Sequence, residues 1–117
     1  MFDEELQRLV SSVPGAMAAS LTGLDGIAVA STNPGNVPLE HIAAELTSAY
    51  RSVQVTNTGM DIGSLAQLML LTEKYAMYLS SVTSEYYVLV VMSPDGSHGK
   101  ARFEMKKIRH SLADELV

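Results

Sequence analysis

The sequence contains no cysteine, which excludes a disulfide framework, a thiolate nucleophile and every zinc or iron–sulfur site built on thiolates. It also lacks any run of the roughly 18 apolar, charge-free residues that a membrane-spanning helix requires. The longest uncharged run, Leu9 to Leu24, holds Ala16-Met17-Ala18, which resembles a cleavage site, but it follows Asp3-Glu4-Glu5 instead of a basic leader and is broken by Pro14-Gly15. These features predict a soluble, cytoplasmic protein with no membrane partner. No serine sits in a G-x-S-x-G elbow, and no pair of carboxylates lies in the apolar setting that would split their pKa values for acid–base work. The sequence therefore offers no argument for an enzyme.

What is present suits one domain spanning residues 1–117, since 117 residues with 47% apolar content are enough to bury a core without covalent staples. The formal charge is −5, but the cations are not spread evenly. Gly99 to His110 carries five bases (Lys100, Arg102, Lys106, Lys107, Arg109) against the single acid Glu104, which leaves three bases and twelve acids elsewhere. No aromatic ladder accompanies the basic segment and the remaining surface repels phosphate, so nucleic acid is not expected as a partner. The simplest reading is a solvated helix face lying beside the acidic N-terminal helix.

Periodicity orders the elements. Phe2, Leu6, Leu9, Val10 and Val13 recur at helical spacing until Pro14-Gly15 stops them. Ala16 to Thr22 and Ile27 to Thr32 read as strands around Leu24-Asp25-Gly26, where glycine supplies the positive φ of a tight turn. A second helix is expected to start beside Pro38 and run to about Thr56. Ala66 to Thr72 and Tyr75 to Val82 form a second hairpin around Glu73-Lys74, and Tyr86 to Met92, apolar throughout, predicts a strand covered on both faces. Pro94-Asp95-Gly96 then turns the chain into a last helix with Ala101, Met105, Ile108, Leu112 and Leu116 in one stripe. The predicted fold is α+β in the order αββαβββα, a largely antiparallel five-stranded sheet between one helix and the pair of terminal helices.

Two motifs come close to known chemistry without meeting its requirements. Ser93 to Ala101 follows a strand and opens a helix with a Gly-Lys pair, as a phosphate loop does, but Pro94 stands where the first glycine belongs and Ala101 where the magnesium-binding hydroxyl belongs. His41 and Glu45 lie one helical turn apart, yet no third metal ligand accompanies them. Neither a cofactor nor a metal is expected.

The second helix is more informative. Leu39, Ile42, Ala43, Leu46, Tyr50 and Val53 form its core stripe, while Glu40, Ala44, Thr47, Ser48, Arg51 and Val55 line another face that is small in the middle and charged towards its ends. A symmetric partner helix running antiparallel could approach closely there and would bring Glu40 and Arg51 together. The segment Leu65–Thr72 is apolar on both faces, with neither charge nor proline from Gly63 to Thr72 to guard it as an edge. The expected dimer interface is therefore Glu40, Ala44, Thr47, Ser48, Arg51 and Val55 with Leu68 and Leu70.

Val13-Pro14-Gly15, then Ala16-Met17-Ala18-Ala19-Ser20-Leu21 and the hairpin Leu24 to Ser31, resembles the opening of the roadblock family of dynein light-chain-related proteins. The strand pair around Thr72-Glu73-Lys74-Tyr75, the strand Tyr86–Met92 and the closing helix with Ala101-Arg102-Phe103-Glu104-Met105 fit the same family, so the likeness spans the whole chain. It is similar above all to the short bacterial members, including the mutual gliding-motility B proteins. The resemblance implies a profilin-like fold and a homodimer whose second helices pair antiparallel and whose third strands join into one sheet. It further implies a non-enzymatic regulator or scaffold that binds a small Ras-like GTPase of the gliding-motility A type and modulates its nucleotide cycle. The family has no invariant catalytic residue to transfer. A structural adaptor for a motor or polarity assembly would use the same dimer. A PAS-like or profilin-like small-molecule sensor would need a pocket with convergent polar groups, and the sequence shows none.

Overall fold

In the computed structural model, which describes residues 1–116, the chain folds as α1 (Phe2–Ser12), β1 (Ala16–Gly23), β2 (Ala28–Thr32), α2 (Leu39–Met60), β3 (Gln67–Leu71), β4 (Ala76–Ser81), β5 (Tyr86–Met92) and α3 (His98–Glu115). The five strands form one antiparallel sheet in the order β2-β1-β5-β4-β3. Sequence alternation sends its two faces to different helices. Ala19, Leu21, Ala76, Tyr78, Val88 and Val90 meet the apolar sides of α1 and α3, whereas Ala18, Met77, Leu79, Tyr87, Leu89 and Val91 meet α2.

Local chemistry explains the boundaries. Gly26 has φ +86°, its N–H donates to the Gly23 carbonyl at 2.9 Å, and the Asp25 carboxylate accepts from the Ile27 N–H at 3.0 Å, so Ile27 belongs to the turn and β2 starts one residue later than its apolar pattern suggests. α2 runs a turn beyond Thr56 because a single glycine, Gly59, does not stop a helix; Asp61 does, in the left-handed conformation at φ 53°. As the unbroken apolar run predicts, β5 is central, and Tyr87 to Met92 are fully buried.

Two turns far apart in sequence close against each other. The Ser93 and Ser97 N–H groups donate to the Gly15 and Pro14 carbonyls at 2.9 Å each. A Cβ on Gly15, itself at φ +92°, would lie 2.6 Å from the Gly96 Cα, and one on Gly96 would lie 2.8 Å from the Pro14 carbonyl oxygen. Only glycine fits at either position, and the contact fixes the start of α3 against the end of α1. These terminal helices lie side by side as their opposite charges suggest. Among the described residues no ion pair joins them; Lys100 and Lys107 of α3 pair within their own helix with Glu104 at 3.4 and 3.7 Å.

Candidate functional site

The expected interface divides in three. Thr47 leaves it: this side chain is 3% exposed, donates to the Ala43 carbonyl at 2.6 Å and shares a 2.6 Å hydrogen bond with the Tyr87 hydroxyl. The reason is angular. Thr47 is four residues after Ala43 and three before Tyr50, which puts it at the centre of the buried stripe and not on its border. Tyr87 stacks on Tyr50 with ring centroids 5.0 Å apart, and burial pushes both phenols above the usual tyrosine range.

Glu40, Ala44, Ser48, Arg51 and Val55 are exposed, and they share one flank of α2. That flank overlooks the β1–β2 side of the sheet. An open cleft of about 500 Å³ is lined jointly by Leu24, Asp25 and Gly26 and by Ala44, Ser48 and Arg51, and the Arg51 guanidinium donates to the Leu24 carbonyl at 3.2 Å. Ile42, Leu46, Ala49 and Val53 fall on the opposite flank, nearer β4 and β3. Ile42, Leu46 and Val53, which the pattern assigns to the core, are only half-buried.

Leu68 and Leu70 sit on β3, the far edge of the sheet from β2. Their register partners are Leu79 and Met77, both buried under α2, so their side chains lie on the α2 face. Met69 and Leu71 pair with Tyr78 and Ala76 and lie on the α1–α3 face. The strand is incompletely covered on both sides: Met69, Leu70 and Leu71 are 43%, 42% and 58% exposed. Among the described residues its outer backbone donors and acceptors have no neighbouring strand.

The sequence thus brings together two surfaces that geometry separates. Leu68 packs against the same cluster as Ile42 and Leu46 of that flank, with Leu70 on the same face of the sheet, while Ala44, Ser48 and Arg51 line the cleft beside Leu24. The small-face pattern leaves out the other flank of the helix, Ile42, Leu46, Ala49 and Val53. A signal was available: the core stripe of the second helix is too wide for one helix to bury fully against one sheet.

The loop before α3 has structural work. In the Ser93–Ala101 loop the N–H groups of Ser93, Gly96 and Ser97 donate to protein carbonyls, and those of Asp95 and Lys100 to the Ser93 and Ser97 hydroxyls, so few amides remain to cradle a phosphate. His98 donates through Nε2 to the Pro94 carbonyl at 2.7 Å, and its Nδ1 shares a 2.6 Å bond with the Tyr78 hydroxyl. His41 and Glu45 are both exposed on α2. Among the described residues no three His, Asp or Glu side chains converge as a metal site, and no helix is long and apolar enough to cross a membrane.

The fold is shared with solved structures of low sequence identity. A Roadblock/LC7 domain from Streptomyces avermitilis superposes with a TM-score of 0.87 at 21% identity, over 97% of this chain and 96% of that one. Myxococcus xanthus MglB gives 0.87 at 16% identity, over 97% and 93%. Profilin IA of Acanthamoeba castellanii is more distant at 0.64 and 16% identity, over the full length of both chains. No protein of curated description matches the chain. The Roadblock/LC7 domain model matches residues 2–93, from the first helix through the last strand. The chain belongs to the Roadblock/LC7 family.

Proposed function

We propose that the protein is a homodimeric, non-enzymatic regulator that binds a small Ras-like GTPase and modulates its nucleotide cycle. The observation that carries the dimer is the uncovered edge of β3 beside the half-buried flank of α2. Pairing β3 with its own copy satisfies the free backbone groups and extends the sheet. A two-fold axis at that edge also carries the two α2 helices towards each other through Ile42, Leu46, Ala49 and Val53, covering Leu68 and Leu70. The interface proposed is therefore the apolar flank, in place of Glu40, Ala44, Ser48, Arg51 and Val55. Those residues then remain open on each protomer, all but Glu40 in the cleft with Leu24 and Asp25, as a surface for the GTPase.

Family membership and the likeness to MglB support the GTPase as partner; the chemistry of the chain supports a role without catalysis of its own, because the loop before α3 spends its amides on the protein. Sedimentation equilibrium at low micromolar concentration tests the dimer, and a monomer near 12.6 kDa would end the proposal. Affinity capture from the native cytoplasm, once with GDP and once with a non-hydrolysable GTP analogue in the buffer, tests the partner. A small GTPase retained in one nucleotide state is the expected result, and retention of a large assembly alone would favour the adaptor reading.

A further inference from the structure

The cations of α3 form two rows with different surroundings. Lys100 and Lys107 pair with Glu104, which lines the cleft between α3 and α1, and lie over the ring of Phe103 at 5.7 and 5.3 Å. Arg102, Lys106 and Arg109, spaced i, i+4 and i+7, occupy the opposite flank of the helix and make no ion pair among the described residues. Arg102 places that flank: its guanidinium donates to the Tyr78 hydroxyl on β4 at 3.3 Å, and Tyr78 is the register partner of Met69 on β3. α3 starts beside Tyr78 in the middle of β4 and packs on that strand, so the flank carrying Arg102, Lys106 and Arg109 is turned to the β3 side of the sheet, where Leu71, Met69 and Gln67 lie on the same face. An uncompensated cationic wall stands next to an exposed apolar floor.

We propose that this surface docks an acidic amphipathic helix of a partner protein, on the face of the sheet opposite α2. The inference rests on the dimer proposed above, which turns the single wall into a groove: with β3 joined to its copy, Met69 and Leu71 of both protomers form the floor and the two α3 helices form the walls. The seam consumes the edge backbone groups of β3, so a strand has nothing left to pair with there, and an occupant must satisfy its own backbone, as a helix does. Its apolar side meets Met69 and Leu71, and carboxylates at helical spacing meet Arg102, Lys106 and Arg109 on either side. An anionic bilayer fits less well, because α1 presents Asp3 and Glu4 on the same face and the apolar floor is recessed below the helices.

The test uses the whole protein and a fluorescein-labelled, end-blocked peptide of about five helical turns, with leucines on one face and glutamates along its borders. Saturable binding between about 1 and 100 μM is expected, weakened about tenfold or more by Lys106→Glu and by less than about twofold by Lys107→Glu, which alters the Glu104-paired row instead. Failure to bind, equal binding of a composition-matched scrambled peptide, equal loss in both variants, or sedimentation with phosphatidylserine vesicles in place of peptide binding would each overturn it. Sedimentation equilibrium on the same samples keeps the two proposals apart. A monomer defeats the homodimer and the two-walled groove together, whereas a dimer that ignores the peptide defeats the groove alone.

Discussion

β5 and β3 are alike in being apolar runs and opposite as structures. Val88-Leu89-Val90-Val91 lies between two strands and two helical layers and is fully buried, while Leu68-Met69-Leu70-Leu71 has a strand on one side only and is largely exposed from Met69 onwards. Apolar composition thus sets the need for cover, and position in the sheet decides whether the chain itself supplies it. α2 repeats the contrast across its width. Its Tyr50–Thr47 line is sealed against Tyr87, while Ile42, Leu46 and Val53 have the same chemistry as a core and only half its burial.

The largest expected effect comes from placing the same charge in each strand. Leu89→Asp buries a carboxylate between β1 and β4 without a partner, at a cost above about 4 kcal/mol; the variant should be unfolded at room temperature, as far-ultraviolet circular dichroism would report. Leu70→Asp should instead leave a folded chain and shift association towards monomer by about a hundredfold or more, read by sedimentation. A Leu70→Asp protein that stays dimeric removes β3 from the interface. A smaller effect separates the flanks of α2. Ala49→Arg should weaken association about tenfold or more by overpacking a helix crossing against its own copy. The smallest belongs to Ala44→Arg, which changes stability by less than about 0.5 kcal/mol and leaves the dimer intact, because the side chain enters an open cleft and arginine is a good helix former. If Ala44→Arg dissociates the protein and Ala49→Arg does not, the assignment of the flanks is reversed.

Sequence periodicity carried the element order, the central place of Tyr86–Met92 and the Asp25-Gly26 turn, because each depends on contacts between near neighbours or on the covering of one strand. It could not assign the flanks of α2. A helical pattern gives the angle of each side chain about the helix axis, but the neighbour found at that angle depends on the strand order, which comes from long-range pairing. Ala44 and Ser48 look like an interface because they are small; they face the β1–β2 hairpin because α2 crosses above β1 with that side turned towards Leu24. Thr47 misleads through its polarity, since nothing local reveals the Tyr87 hydroxyl waiting forty residues on. The meeting of Gly15 with Gly96 is hidden for the same reason: each glycine reads as an ordinary turn until the other is beside it.

The pairing of β1 with β5 also has a bearing on how the chain is made. Residues 16–23 find their inner neighbour only in residues 86–92, so while the polypeptide emerges from a ribosome the first hairpin must wait through the synthesis of α2, β3 and β4 with the inner edge of β1 open. Closing that long loop is slow, as non-local strand pairing generally is. The waiting stretch, Ala18-Ala19-Ser20-Leu21-Thr22, carries no charge to discourage a neighbouring nascent chain from pairing with it first. A pulse of synthesis halted before Tyr86 should therefore yield a product that chaperones hold, and one extended through Met92 and the Gly96 turn a product that has begun to release them.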